Sequence, residues 1–174
     1  NITVQLDAGG NDSITANDVD GSSNDACGIA STSVAPNAFT CTNVGTNNVV
    51  LTVTDNNGNS SNCNANVEIE DNVNPTALCQ DITIQLDAGG NASITTSQID
   101  NGSNDACGIA SMSVSPNTFD VNNVGDNNVT LTVNDNNGNS SICTAVVTVQ
   151  DDGAPTALCQ DITVYLDGAG TVGI

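Results

Sequence analysis

The stretch DNVNPTALCQDIT covers residues 71–83 and returns eighty positions later as DDGAPTALCQDIT at residues 151–163. Each copy leads into a common segment, which reads ITIQLDAGGN from Ile82 and ITVYLDGAG from Ile162, and ITVQLDAGGN already stands at Ile2. Aligned at this offset, the first two copies match at about two-thirds of their positions. A repeat of this length indicates an array of similar domains rather than one globular enzyme.

Proline marks the junctions of this array. Pro75 and Pro155 fix their own backbone and favour an extended residue before them, so each copy is interpreted as a stiff connector. The connectors divide the chain into unit 1 (residues 1–74, without a leading connector), unit 2 (residues 75–154) and the start of a third unit (residues 155–174). The chain is therefore expected to be a piece of a longer array.

Apolar and polar residues alternate with the period of a β-strand in several short runs, and no stretch has a helical period of useful length. Roughly seven short strands in a unit, separated by Gly and Asn turns, predict an all-β fold of tandem immunoglobulin-like β-sandwiches in an extended array. The clearest strands predicted for unit 2 cover Ile82–Leu86, Ala92–Ile99, Ile109–Val114, Val129–Asn134 and Cys143–Val149.

The charge balance limits the partners of the chain. Twenty Asp and Glu residues face no Lys, Arg or His, which gives a formal net charge of −20. Their repulsion needs a cationic counterpart, such as solvent cations, a divalent metal or a basic partner. Nucleic acid is excluded as a ligand because phosphate binding needs Lys or Arg. No apolar run is long enough for membrane insertion within these residues.

The composition also argues against catalysis. General acid–base chemistry near neutral pH would need a carboxylate with a strongly raised pKa, since His and Lys are absent. A cysteine nucleophile needs a basic neighbour, and the sequence offers none. We therefore expect that the chain is not an enzyme.

Oxygen-rich loops predict a calcium site at the junction between units 1 and 2. Calcium prefers carboxylate and amide oxygens, and in an immunoglobulin-like sandwich two acidic loops of unit 2 should face the end of unit 1. The same Asp, Asn and Gly residues are also ordinary turn formers, and this reading stays open. The candidate ligands are Asp71, Asn72, Asn74, Asp100, Asp105, Asp135, Asn137 and Asn139.

Seven cysteines in a lysine-free chain with small aliphatic cores favour an oxidising, extracellular setting. Cys27, Cys63 and Cys79 recur as Cys107, Cys143 and Cys159, whereas Cys41 is replaced by Val121. Disulfides are predicted within each unit, Cys27–Cys63 and Cys107–Cys143, with Cys41–Cys79 as a staple across the joint. Pairing of the connector cysteine inside its own unit remains an alternative.

The opening D-x-x-x-P-T-x-x-C from Asp71 to Cys79, the late DNNGN turn and the cysteine shortly after it resemble the hyalin-repeat (HYR) family of immunoglobulin-like modules. The segments ALCQDIT, NDACGIAS and LTVTDNNGNSS more closely resemble the repeats of giant cell-surface adhesins of gliding Bacteroidetes, the SprB type. The resemblance covers the whole chain, although Val121 replaces Cys41 in unit 2. It implies export by the type IX system to the bacterial cell surface and a role in adhesion and gliding motility. It also implies a surface or polysaccharide ligand bound by other regions, and contact with the motility or secretion machinery.

The sequence therefore predicts a segment of an extracellular stalk, stiffened by disulfides and calcium, whose immediate partners are the neighbouring repeats. The alternative is a calcium-dependent polysaccharide-binding module. Sugar sites usually offer aromatic platforms, and only Phe39, Phe119 and Tyr165 are available. The near-identity of the loops in the two units also suits a spacer better than a specialised site.

Overall fold

A computed structural model describes residues 2–166 and 168–170, so Asn1, Asp167 and the last four residues of the third unit lie outside the described part. Units 1 and 2 share one order of elements, six strands with a short α-helical turn after the second strand and a 3-10 turn after the fourth, at Cys41–Asn43 in unit 1 and Val121–Asn123 in unit 2. In unit 1 the elements are β1 (Ile2–Gln5), β2 (Asn11–Ser13), α1 (Ala16–Val19), β3 (Ile29–Ala35), β4 (Ala38–Thr40), β5 (Gly45–Asp55) and β6 (Ser60–Glu70). In unit 2 they are β7 (Ile82–Gln85), β8 (Asn91–Ser93), α2 (Thr96–Ile99), β9 (Ile109–Ser115), β10 (Thr118–Asp120), β11 (Gly125–Asp135) and β12 (Ser140–Gln150).

Each unit is a small immunoglobulin-like sandwich of a four-stranded and a two-stranded sheet. The larger sheets have the orders β1-β6-β5-β3 and β7-β12-β11-β9, and the smaller ones pair β2 with β4 and β8 with β10. The first strand of each unit runs parallel to the last, whereas the other pairs are antiparallel. The predicted all-β class is confirmed.

Strict alternation along the two long strands of each unit builds the core. In β5, Val49 and Leu51 are buried while the intervening residues point outward. Phe39 of the smaller sheet is 1% exposed and closes the unit 1 core from the other side, as Phe119 does in unit 2. With one aromatic ring in each core, the sandwiches depend on Val, Ile and Leu packing.

The structure corrects three details of the predicted strands. A strand predicted over Ala92–Ile99 is a three-residue strand followed by the helical turn α2, whose first turn is capped by Thr95 and Gln98. Six strands therefore form instead of about seven. No strand forms at Ile162 within the described residues, although the sequence there repeats that of β1 and β7 and predicts a first strand.

The connector, residues 72–81, leaves β6 and runs along the flank of unit 2. Thr76 exchanges two main-chain hydrogen bonds with Asn104, and the main chain of Cys79 forms an isolated antiparallel β-bridge with that of Asp100. Ala77 and Cys79 pack against the unit 2 core. The connector is thus an extra edge segment of unit 2 rather than a free linker. No helix in the described part of the chain is long and apolar enough to cross a membrane.

Candidate interdomain metal centre

The turn between β11 and β12 is organised by one buried carboxylate. Asp135 is 3% exposed. One of its oxygens accepts the main-chain N–H groups of Asn137 and Asn139 at 2.9 and 2.8 Å, and the other accepts the Asn139 side-chain amide at 2.7 Å. Burial by itself raises the pKa of Asp135, but the hydrogen bonds from Asn139, Asn137 and Gly138 outweigh it and lower that pKa below its ordinary value.

A second loop, residues 100–108, is locked to this turn. Asn136 donates its side-chain amide to the Cys107 carbonyl at 2.9 Å and its main-chain N–H to the Gly108 carbonyl at 3.1 Å. Gly108 has a φ of +96°, and a Cβ there would lie 2.7 Å from the Asn136 amide nitrogen, so only glycine permits this approach. Asp105 accepts the Cys107 N–H at 2.8 Å, which holds its carboxylate at the tip of the loop.

Unit 1 contributes Asp71, which follows β6 directly and is only 5% exposed. Its Oδ1 accepts the Val73 N–H at 3.1 Å, whereas its Oδ2 is buried and has no hydrogen-bond partner. Asn139 reaches across the joint and donates to the Asp71 carbonyl at 3.0 Å. The end of β6 is thereby fixed against the β11–β12 turn of unit 2.

Two carboxylates from different units meet at this joint. Asp71 and Asp105 each offer an oxygen that lies within 4.8 Å of the other and of the Cys107 sulfur. Asn137 adds a buried side-chain oxygen without a partner, and it lines a cleft of about 200 Å³ together with Asp71. Since the chain carries no Lys, Arg or His, no side-chain cation of its own can neutralise the pair.

The donor set fits a hard cation better than a soft one. The Cys107 sulfur is bonded to Cys41, so it is not a thiolate and cannot act as an anionic ligand. The atoms that remain are the carboxylate oxygens of Asp71 and Asp105 and the amide oxygen of Asn137, the type of ligand that calcium takes. Buried oxygens without hydrogen-bond donors are unusual in proteins and call for a partner.

The other predicted ligands lie elsewhere or have other partners. Asn72 is exposed and lines the same cleft as Asp71 and Asn137, but its side-chain amide donates to Gln5 at 2.7 Å and to Glu70 at 3.2 Å. Asn74 is exposed. Asp100 accepts the Ser103 N–H at 2.9 Å beside the connector, and hydrogen bonds from Ser103 lower its pKa. Asp135 and Asn139 shape the turn behind the site with the hydrogen bonds described above.

A disulfide crosses the same joint. Cys41 follows β4 of unit 1 and bonds to Cys107 of unit 2, with a Cα–Cα distance of 5.1 Å. Cys41 and Cys107 also pack against the unit 1 core. The sequence predicted that Cys41, which has no cysteine counterpart in unit 2, staples the joint, but it named Cys79 as the partner instead of Cys107.

The pairing predicted from the sequence is wrong in both units. Cys143 bonds to the connector cysteine Cys79, with a Cα–Cα distance of 5.8 Å, and not to Cys107. Cys27 and Cys63 are free and exposed, and Cys41 does not reach Cys79. The alternative that pairs the connector cysteine within its own unit is the arrangement observed. The reason is the path of the connector, which brings Cys79 onto the flank of β12 while the Cys107 loop turns toward unit 1.

Comparisons with known proteins add a likeness of fold. No protein-family model matches the chain, and no curated protein matches it. Among solved structures, the fibronectin(III)-like modules of CbhA from Clostridium thermocellum share 12% identity at a TM-score of 0.33, over 90% of this chain and 94% of that one. Protocadherin gamma B7 extracellular cadherin domains 1–4 share 10% identity at a TM-score of 0.39, over 87% of this chain and 49% of that one. The human mucin-like protocadherin EC1-2 structure shares 13% identity at a TM-score of 0.37, over 86% and 95%.

At these identities and TM-scores the likeness carries no inference about function. The chain's own features support a coarser statement. Tandem immunoglobulin-like domains, joined by a disulfide and braced by a second one, fit a structural module of the extracellular, adhesion-associated type.

Proposed function

We propose that the chain is a segment of a stalk in a large extracellular bacterial adhesin of the HYR-like, SprB-type repeat class, and that calcium bound between units 1 and 2 stiffens it. The role is mechanical rather than catalytic. Its immediate partners are the neighbouring repeats of the same chain, and the surface or polysaccharide ligand and the motility or secretion machinery engage other regions. The repeat segments that resemble this class, together with the disulfides, support the wider assignment.

One observation carries the calcium proposal. Asp71 is buried, its Oδ2 has no hydrogen-bond partner, and one of its carboxylate oxygens lies within 4.8 Å of an Asp105 oxygen of the next unit. Burying a carboxylate with one oxygen unpaired is costly, and a second anion beside it adds repulsion. Calcium would be held by Asp71, Asp105 and Asn137, and it would supply two positive charges that neutralise both carboxylates.

The arrangement gives the joint two constraints of different kinds. The Cys41–Cys107 bond limits how far the units can separate, but rotation about its single bonds remains. The hydrogen bond from Asn139 to the Asp71 carbonyl and the shared metal would restrict that rotation, since they connect a second pair of points. A joint fixed at both points transmits force along the array with little bending.

The polysaccharide-binding alternative has little support in the structure. Phe39 and Phe119 are 1% and 3% exposed within the two cores, so neither presents a ring to a sugar. Tyr165 is exposed but lies in the third unit, far along the chain from the acidic loops of units 1 and 2. We therefore assign the adhesive contact to regions outside this segment.

The test combines calorimetric titration with calcium and small-angle X-ray scattering of the full chain in calcium and in EDTA. We expect binding near one ion per chain, and a scattering profile that fits a single extended arrangement only with calcium. Asp71→Asn should abolish both effects. The matched control is Asp151→Asn, because Asp151 occupies the same position in unit 2 and is exposed.

Two results would contradict the proposal. One is the absence of calcium binding to the oxidised chain. The other is binding that Asp71→Asn and Asp151→Asn weaken equally, since this would place the ion outside the joint.

A further inference from the structure

The disulfide and the carboxylate pair occupy the same small region of the joint. A carboxylate oxygen of Asp71, one of Asp105 and the Cys107 sulfur all lie within 4.8 Å of one another. The Cys41 sulfur is bonded to the Cys107 sulfur and adjoins this group. Asp71 and Cys41 come from unit 1, and the other two residues come from unit 2. Each unit therefore brings one carboxylate and one sulfur to the joint.

The backbone that carries each sulfur is anchored independently of the disulfide. In unit 1, the Gly10 carbonyl oxygen lies 3.7 Å from the Cys41 sulfur. Gly10 has a φ of +72°, and a Cβ there would lie 2.5 Å from that sulfur, so only glycine permits the approach. In unit 2, the Cys107 N–H donates to Asp105 and the Cys107 carbonyl accepts the Asn136 amide. These contacts do not depend on the S–S bond, so both sulfurs stay at the joint when that bond is broken.

Reduction changes the kind of cation that these atoms can bind. Cys41 and Cys107 are half-buried, so a small dithiol can reach their bond. The dithiol gives two electrons and two protons to the disulfide, which becomes two thiols, and is itself oxidised to a cyclic disulfide. A divalent metal then displaces the two thiol protons and binds the thiolates. Two thiolates and two carboxylates make a four-ligand set of the types that zinc accepts.

We propose that the joint is a redox-dependent metal site. When the Cys41–Cys107 bond is reduced, a thiophilic divalent cation of the zinc type binds between the units, to both sulfurs and to the carboxylates of Asp71 and Asp105. Thiolate ligands favour such a cation over calcium, whose ligands are oxygens. The covalent link between the units is then replaced by a metal bridge with two ligands from each unit.

A buried carboxylate oxygen without a partner supports a ligand at this place. Asp71 is buried, and its Oδ2 has no hydrogen-bond partner. Reduction adds two ionisable sulfurs, and the chain has no Lys, Arg or His to balance them. A divalent cation can neutralise thiolates and carboxylates together. Among the described residues, no other three carboxylate or cysteine side chains converge within this distance.

The inference rests on the same joint as the proposed calcium site, but it does not need calcium to bind. Calcium would occupy the oxygens of the oxidised chain, whereas the zinc-type cation would occupy the mixed sulfur and oxygen set of the reduced chain. Calcium titration of the oxidised chain tests the proposed function. The experiments below contain no calcium, so either proposal can fail while the other stands.

The first experiment opens the disulfide without a reductant. In the full chain with Cys41→Val, three of the four ligands remain and the Cys79–Cys143 bond stays oxidised. Cys107 becomes the sole thiol once Ser replaces the free cysteines Cys27, Cys63 and Cys159. The probe is the cobalt(II) ion, because a thiolate-to-cobalt charge-transfer band appears only when sulfur is a ligand. A band in this chain therefore reports metal on Cys107.

We expect this band to saturate near one cobalt ion per chain. Asp71→Asn in the same background removes an anionic ligand and should weaken binding at least about tenfold. Asp151→Asn is the matched control, because Asp151 occupies the same position in unit 2 and is exposed. Absence of the band from a chain whose strands are intact by circular dichroism would overturn the proposal. Equal weakening by the two Asp variants would overturn it as well.

The second experiment uses both sulfurs and does not depend on the Cys41→Val variant. The chain with only the three free cysteines replaced by Ser is reduced with dithiothreitol, freed of the reductant and alkylated with iodoacetamide. With zinc at about ten times its dissociation constant, alkylation of Cys107 should slow about tenfold, because only the metal-free thiolate reacts. Asp71→Asn should restore the metal-free rate, as measured by mass spectrometry of the Cys107 peptide. Protection that survives Asp71→Asn, or no protection at all, would refute the mixed site.

Discussion

Replacing Asp71 by Asn should change stability in opposite directions with and without calcium. The variant keeps the shape of the side chain and the oxygen that accepts the Val73 N–H, but it removes a buried anion. The closest oxygens of Asp71 and Asp105 lie within 4.8 Å. Two charges at this separation repel by about 3 kcal/mol at an effective dielectric constant of about 20.

Solvent reduces this figure, because Asp105 is half-exposed. We therefore expect Asp71→Asn to stabilise the calcium-free chain by roughly 1–2 kcal/mol. A domain of this size gains about 4–8 °C in its unfolding temperature for each kcal/mol, so the shift is easily measured. With calcium at one hundred times its dissociation constant, the wild-type chain gains about 2.7 kcal/mol that the variant lacks, and the order of stability reverses.

Differential scanning calorimetry in EDTA and in calcium measures both shifts on oxidised protein. Asp151→Asn is the control, since Asp151 is exposed and its carboxylate accepts only the Gly153 N–H at 3.0 Å. The control should stay within about 0.5 kcal/mol of wild type under both conditions. If Asp71→Asn unfolds at the wild-type temperature in EDTA, the two carboxylates do not repel as argued. If calcium stabilises it as much as wild type, Asp71 is not a ligand.

Three further predictions concern the disulfides and the acidic turns. Replacing Cys79 and Cys143 by Ser opens a loop with a sequence separation of 64 and should lower the free energy of unfolding of unit 2, measured by chemical denaturation, by about 4 kcal/mol. The same change at the free Cys27 and Cys63 should leave the free energy of unfolding almost unchanged. A large loss at Cys27 and Cys63 would support the pairing predicted from the sequence. Cys41→Val gives unit 1 the residue found at Val121 and should leave the fold of each unit intact. It should make Cys107 available for alkylation and broaden the distribution of interdomain distances measured by X-ray scattering in EDTA. Unchanged scattering would mean that the disulfide is not needed to hold the joint. Asp135→Asn replaces the carboxylate oxygen that accepts the Asn139 side-chain amide by an N–H₂ group, which is a donor. At neutral pH in EDTA this should lower the free energy of unfolding by roughly 1–3 kcal/mol. Because folding lowers the pKa of Asp135, the stability that its carboxylate contributes is fully present above the ordinary carboxyl pKa of 3.8 and is lost as the pH falls through the lower folded pKa. The difference in unfolding free energy between wild type and variant, followed by circular dichroism, should therefore shrink on acid titration. A constant difference would contradict the assignment.

Local patterns predicted the fold well. Alternation along Val129–Asn134 and Cys143–Val149 places strands inside β11 and β12, because the period of two depends only on neighbouring residues. The region Ala92–Ile99 was misread for a similar reason. Its capping pair Thr95 and Gln98 acts over three residues and turns the chain into α2, a signal weaker than the apolar residues around it.

The candidate site was predictable in composition but not in detail. The sequence named Asp71, Asp105 and Asn137 among eight candidates, since oxygen-rich loops at a junction stand out in a chain without cations. It could not separate them from Asp135, which has the same local setting. Only the folded chain shows that the Asp135 oxygens are taken by N–H donors while one oxygen of Asp71 is buried without any.

The repeat, the long strands of each unit, the turn chemistry and the excess of negative charge can be predicted from the sequence alone. They depend on nearby residues, on composition or on direct comparison of the two copies. The tertiary structure decided which cysteines pair, which flank the connector covers and which carboxylates meet. The two disulfides join residues 66 and 64 positions apart, and the connector and carboxylate contacts join residues from different loops. These contacts depend on how the folded segments, and at the joint the two units, lie on each other, a relation that no local pattern encodes.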